Sequence, residues 1–198
     1  MNKFWNTLQA LGACHAALEW ADEQGDAELV HYWTTCPNGE WFLWLFSRLV
    51  EEHIMNKHVV LKALVACAQL RVPLIGDLQL RDETRSVLNG VMGAFDARVN
   101  LLELRDRVYR LDEDRRRGTD YGDRIHCWTA AVGDIGRLAY AQHKSGFRVS
   151  AGRIYIDLLF SGYGASKEEQ ARFLEELRKA IPWDTAKAAW AEFARGAP

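Results

Sequence analysis

Two pairs of neighbours in this chain could do chemistry: Cys14 beside His15, and His126 beside Cys127. A thiol activated by an imidazole is the working pair of nucleophilic catalysis. Adjacent residues on a helix, however, point about 100° apart, which keeps their side chains from meeting. An active centre would therefore need Cys127, His126 or His143 to meet a group from another helix. Metal binding fares similarly. His53 and His58 stand across a break, no His-x-x-x-His occurs, and no cysteine spacing matches a zinc site. Gly133-x-x-Gly136 has no strand before it, so a dinucleotide loop is excluded, and Gly90, Gly93, Gly133 and Gly136 read as close contacts between helices. These residues point to no catalytic group, no metal ligand and no cofactor, and so to a chain that is not an enzyme.

A second set of reactive side chains is electrostatic. Arg105, Arg107, Arg110, Arg115, Arg116 and Arg117 could clamp phosphates. Asp106, Asp112, Glu113, Asp114, Asp120 and Asp123 interleave with them, a pattern that forms local i,i+4 pairs on a solvated helix end. Such a mixed surface suits a salt-sensitive protein interface better than nucleic acid. Arg115, Arg116, Arg117 and Tyr121 are the residues expected to touch a partner.

Bulk composition sets limits on these readings. With 25 Lys and Arg against 27 Asp and Glu the net charge is −2, which gives no global field for nucleic acid and is too mild for a DNA mimic. At 198 residues, 48% hydrophobic and 26% charged, the chain can bury a full core and is not of disordered type. The polar Asn6, Thr7 and Gln9 interrupt any apolar leader, and no run reaches the roughly 18 apolar residues of a membrane helix. The widely spaced Cys14, Cys36, Cys67 and Cys127 read as reduced thiols of a cytoplasmic protein.

The elements that must position these groups show helical period almost throughout. Residues 3–23 form one helix or two, with Gly12 as the weak point between them. Gly25 ends that segment, and Asp26 is expected to cap a helix carrying Leu29, Val30, Trp33 and Cys36 on one face. Pro37-Asn38-Gly39 breaks it, and Glu40 opens a helix burying Trp41, Trp44, Leu45 and Leu49. Residues 57–71 form the next, ended by Pro73, and 74–80 an apolar loop. A long helical pattern runs over 82–117, eased by Gly90 and Gly93, and turns at 118–123. Residues 124–142 form another helix. The segment 148–161 fits strand or helix, with helix favoured by its all-helical surroundings. Ser166-Lys167-Glu168-Glu169 is a capping box for a helix to Ala180, and Pro182 starts the last one. The sum is a single all-α domain over 1–198, a bundle of about eight or nine helices. It comprises an aromatic N-terminal core (1–72), a middle section (82–164) and a C-terminal helical pair (166–198).

The aromatic richness of the chain is concentrated in Tyr32, Trp33, Trp41, Phe42, Trp44 and Phe46. Each large ring buries roughly 150–250 Å² when packed, so the segment anchors a core or a partner surface. The helical spacing favours a core role for Trp20, Trp33, Cys36, Trp41 and Trp44. Trp33-x-x-Cys36-x-x-x-Glu40-Trp41-x-x-Trp44, preceded by Ala13, Cys14, Ala16, Ala17 and Trp20, resembles a motif of small helical proteins from bacteriophages and bacterial mobile elements. The Ala-rich and Cys-rich stretch 63–68 and the closing Ile181-Pro182-Trp183 resemble that group as well. The resemblance covers about the first seventy residues and the start of the last helix, and leaves 82–164 unmatched.

Some members of that group carry an immunity-protein label. The resemblance implies a setting in which an accessory protein binds and blocks another. This could be a phage-encoded inhibitor of a host-defence complex, such as an anti-CRISPR, or a toxin-immunity protein, acting in the bacterial cytoplasm. A nucleic-acid-associated accessory protein using the same arginines, and a helical enzyme with a Cys/His site between helices, are the alternatives.

Overall fold

The computed structural model describes residues 3–96, 98–117, 123–140, 147–160 and 165–196. Among them are eleven α-helices and no strand, so the fold is all-α, with more helices than the eight or nine the periodicity gives. The helices are α1 (Lys3–Ala10), α2 (His15–Glu23), α3 (Leu29–Thr35), α4 (Gly39–Glu51), α5 (Lys57–Gln69), α6 (Leu78–Phe95), α7 (Leu101–Arg117), α8 (Asp123–Tyr140), α9 (Phe147–Phe160), α10 (Lys167–Ala180) and α11 (Trp183–Gly196). A 3₁₀ turn at Val72–Leu74 follows α5. No helix among the described residues is long and apolar enough to cross a membrane.

The count rises because the caps are stronger than the hydrophobic period. Gly12 takes φ +80°, a left-handed conformation that parts α1 from α2, and Gly25 does the same at φ +66° after α2. The stretch 82–117 divides at a turn where the Asn100 side chain accepts from the Glu103 N–H at 2.8 Å. The same device opens α4, α5 and α6, through the side chains of Asn38, Asn56 and Asp77. One cap differs from expectation: α3 begins after Glu28, which makes no side-chain cap, and not after Asp26. The segment read as strand or helix is helix over Phe147–Phe160, and the capping box at Ser166 and Glu169 is fully formed.

At the centre lies α5, where Val60, Leu61, Ala63, Leu64, Val65, Cys67 and Ala68 are buried around much of its circumference. Its small residues let α8, α9 and α10 pack against it. On the flank, α6, α7 and α8 form a close trio. There the helical glycines lie against neighbours: Gly90 against Leu104 and Arg107, and Gly136 against Val108 and Val87. A smaller aromatic cluster of Phe4, Leu8, Ala21 and Tyr32 joins α1, α2 and α3 to α4 and α11.

Three cations tie this apolar assembly together at helix C-termini, where carbonyls lack intrahelical partners. Lys57 donates to the carbonyls of Leu138 and Ala139 near the end of α8, both at 3.2 Å. Arg71, just past α5, donates to Leu158 at 2.9 Å and Leu159 at 3.4 Å near the end of α9. Arg178 of α10 donates to Trp33 at 3.1 Å and Cys36 at 2.8 Å at the end of α3. Each charge meets the negative end of a helix dipole contributed by a segment remote in sequence.

Candidate functional site

Among the described residues, two places combine distinctive side chains with access to solvent. The first is the outer face of α7. Its inner stripe, Leu104, Val108 and Leu111, is buried against α6 and α8. That register turns positions 102 and 109, one heptad apart, outward. Leu102 is 63% exposed and Tyr109 62%, and Leu101 beside them is exposed as well. Reading the segment for charge alone does not reveal this stripe. Its signal in the sequence is the one-heptad spacing of Leu102 and Tyr109, set against the buried line Leu104, Val108, Leu111.

Charges on this helix are largely committed near home. Arg107 pairs with Glu103 at 2.5 Å and donates to the Ser86 carbonyl at 3.1 Å. Arg110 faces Glu83 at 3.7 Å, and Arg105 faces Asp106 at 3.7 Å. Asp112, mostly buried, is bound by Arg137, which also pairs with Asp134 at 2.5 Å. Arg115, Arg116 and Arg117 occupy the last turn of α7. Their side chains, like Tyr121 and His143, lie outside the described residues.

The second place is a crevice between the N-terminal aromatic cluster and the main core. Trp20, Trp33, Trp41, Trp44, Trp183 and Trp190 line it, from α2, α3, α4 and α11. Rings cross it in tilted and edge contacts: Trp20 with Trp41 at 6.2 Å between centroids, Trp33 with Trp183 at 6.1 Å and Phe4 with Trp190 at 5.1 Å. The face that α4 buries fully is Phe42, Leu43, Phe46, Leu49 and Val50. Trp41 and Trp44 stand beside it, half-buried on the crevice side, as do Trp20 and Trp33 from their own helices. Cys36 is buried in the same wall. Its thiol donates to the Asn38 carbonyl at 3.4 Å, and burial pushes its pKa up against the lowering effects of that bond and of Arg178.

The thiol and imidazole candidates are scattered. Cys14 is exposed at the start of α2, and His15 pairs instead with Glu19 at 3.2 Å. Cys67 is buried and donates to the Phe173 carbonyl at 3.7 Å; burial holds its thiol far above the ordinary range. His126 is exposed, and Cys127 beside it on α8 is half-buried. Among the described residues, no three His, Cys, Asp or Glu side chains gather as a metal site would require. Compared with family models, with curated proteins and with solved structures, the chain matches none.

Proposed function

We propose that this chain is a non-catalytic, protein-binding antagonist that neutralises a macromolecular target. The target would be a host-defence complex, for a phage-encoded inhibitor, or a toxin, for an immunity protein. The observation that carries the reading is the exposed stripe of α7, where Leu102 and Tyr109 stand in water on the helix that also carries Arg105 and Arg110 and ends at Arg117. Tyrosine and arginine are enriched at the energetic centres of protein interfaces. Local pairing of Arg105, Arg107 and Arg110 with carboxylates supports a protein partner over a phosphate backbone, which needs uncommitted cations. The resemblance of the Trp33–Trp44 motif to phage and mobile-element proteins supplies the setting, the bacterial cytoplasm.

The test is affinity purification of the tagged chain from a bacterial host at low and high salt, with nuclease controls. The wild type runs beside Leu102→Glu/Tyr109→Glu and a charge reversal of Arg115, Arg116 and Arg117. The expected result is a stoichiometric protein that survives nuclease and is lost with either variant. A partner released by nuclease, or one retained by both variants, would overturn the reading.

A further inference from the structure

Away from both places described above, a hollow of about 390 Å³ opens between the residues just past α5, the 3₁₀ turn and the first two turns of α10. That volume falls within the range of small-molecule sites, roughly 300–1,000 Å³. Pro73 turns the chain there and leaves Leu74 at the rim, 55% exposed, beside the half-buried Leu70. Phe173, fully buried, lines the same space.

Three charged side chains complete the lining. Arg71 keeps only 8% of its side chain exposed. Its Nε donates to the Leu158 carbonyl, and its terminal nitrogens donate to the Leu159 carbonyl and to Glu169. A guanidinium carries five N–H donors, so two have no acceptor among the described residues. Glu169 is the only acid lining the hollow, and Arg71 answers its charge at 2.8 Å. Arg172 is exposed and forms no ion pair among the described residues. The carboxylate one turn on, Glu175, is held by Lys179 at 2.8 Å. Two cations against one anion leave one positive charge uncompensated beside an apolar surface.

We propose that this hollow binds an apolar monocarboxylate, its body against Leu70, Leu74 and Phe173 and its carboxylate on Arg172. A cation would add to the surplus charge, and a dianion would bring a second negative charge against Glu169. Arginine is the residue that takes a carboxylate through two parallel N–H bonds. The space suffices: a cavity of about 150 Å³ admits benzene, so 390 Å³ holds a ring with a short acid chain. A free acid and the C-terminal carboxylate of a peptide ending in an apolar residue share this chemistry. None of the lining residues lies on α7, so the inference stands apart from the partner surface proposed above.

The test uses the full chain with ¹³C-methyl leucines, titrated with 3-phenylpropanoate and separately with 3-phenylpropanamide, which has the same shape and no charge. The expected result is a saturable movement of the Leu70 and Leu74 methyl signals, with a dissociation constant of about 1 mM for the acid. The amide should bind about three- to tenfold more weakly, the value of a partly exposed charge-assisted contact. Arg172→Gln changes an exposed helical position to another good helix former. It should bring the acid down to the affinity of the amide and leave the amide unchanged. Leu74→Ala should weaken both. A pentapeptide ending in phenylalanine, with a free or an amidated C-terminus, separates the two sources. Tighter binding of the free-ended peptide than of 3-phenylpropanoate assigns the site to a chain end, and weaker binding assigns it to a small acid. No saturable movement at Leu70 and Leu74 with either carboxylate, equal affinity for acid and amide, or an acid preference that survives Arg172→Gln would overturn the proposal.

Discussion

The backbone of Gly39 stands against the ring of Tyr155: a Cβ at position 39 would overlap the tyrosine hydroxyl and lie 2.8 Å from Cζ. This contact lets the first turn of α4 close on the middle of α9. Alanine is ordinarily the better helix former, so the clash alone sets the sign here. Gly39→Ala should destabilise the fold by about 1–3 kcal/mol, the range for an overpacked core. Adding Tyr155→Phe should recover part of that loss, since the hydroxyl is the first atom met. Urea denaturation of the two single variants and the double variant reads the coupling directly.

Removing the cations that close distant helix ends should cost more than removing their acidic partners. Arg71 is nearly fully buried, and its guanidinium also lies 4.9 Å from the Phe173 ring and 5.1 Å from the Trp128 ring. Arg71→Met leaves the Leu158 and Leu159 carbonyls without their donor, an expected loss of about 2–4 kcal/mol. Glu169 pairs with Arg71 at 2.8 Å but is 41% exposed, so Glu169→Gln should cost less than about 1 kcal/mol. Thermal unfolding of both variants checks this ordering.

The four thiols should react in the order of their exposure. With Ellman's reagent at pH 8, Cys14 should label at once and Cys127 more slowly, while Cys36 and Cys67 should wait for unfolding. The two buried thiols also give the stability a pH dependence. Burial raises both above the ordinary value of 9.0, so the folded state holds their protons more tightly than the unfolded chain. That contribution is whole below the unfolded thiol range and is lost as pH rises from that range towards the higher folded values, by up to about 1.4 kcal/mol per pH unit for each thiol. Urea midpoints should therefore fall above about pH 9, and fall less steeply in Cys67→Ala. The buried Tyr155 hydroxyl, raised in the same direction, extends the loss to higher pH.

His53 occupies the left-handed region at φ +61°, just past the end of α4. There the Ile54 N–H reaches the Leu49 carbonyl at 2.9 Å and the His53 N–H reaches Val50 at 3.1 Å. This is the Schellman arrangement, in which glycine is preferred. His53→Gly should stabilise the fold by about 0.5–1 kcal/mol, measured as a raised midpoint in denaturant.

Helix content was legible in the sequence because the three- and four-residue spacing of apolar side chains is a local property. The Ser166 capping box and the breaks at Gly12, Gly25 and Pro37 were legible for the same reason. Boundaries set by side-chain caps were harder. Asn100 splits what reads as one long helical pattern, because its amide holds the Glu103 N–H while the hydrophobic period runs on across the break. The helix over Phe147–Phe160 owes its burial to α4, α5 and α8, which no local window contains. The half-burial of Trp20, Trp33, Trp41 and Trp44 depends on how α1–α3 meet α4 and α11. Spacing along one helix tells which side chains share a face, but not how fully a neighbour covers it. The exposed line of Leu102 and Tyr109 was visible only once Leu104, Val108 and Leu111 were known to point inward.

Six of the eight tryptophans surround the crevice, while Trp128 lies elsewhere, against Arg71. Their rings are close enough to exchange excitation energy and to couple in the near ultraviolet. The native fluorescence and near-ultraviolet circular dichroism of this protein are therefore dominated by one location. An observer following either signal during unfolding or ligand addition watches the junction between the two cores, and sees almost nothing of α6 and α7.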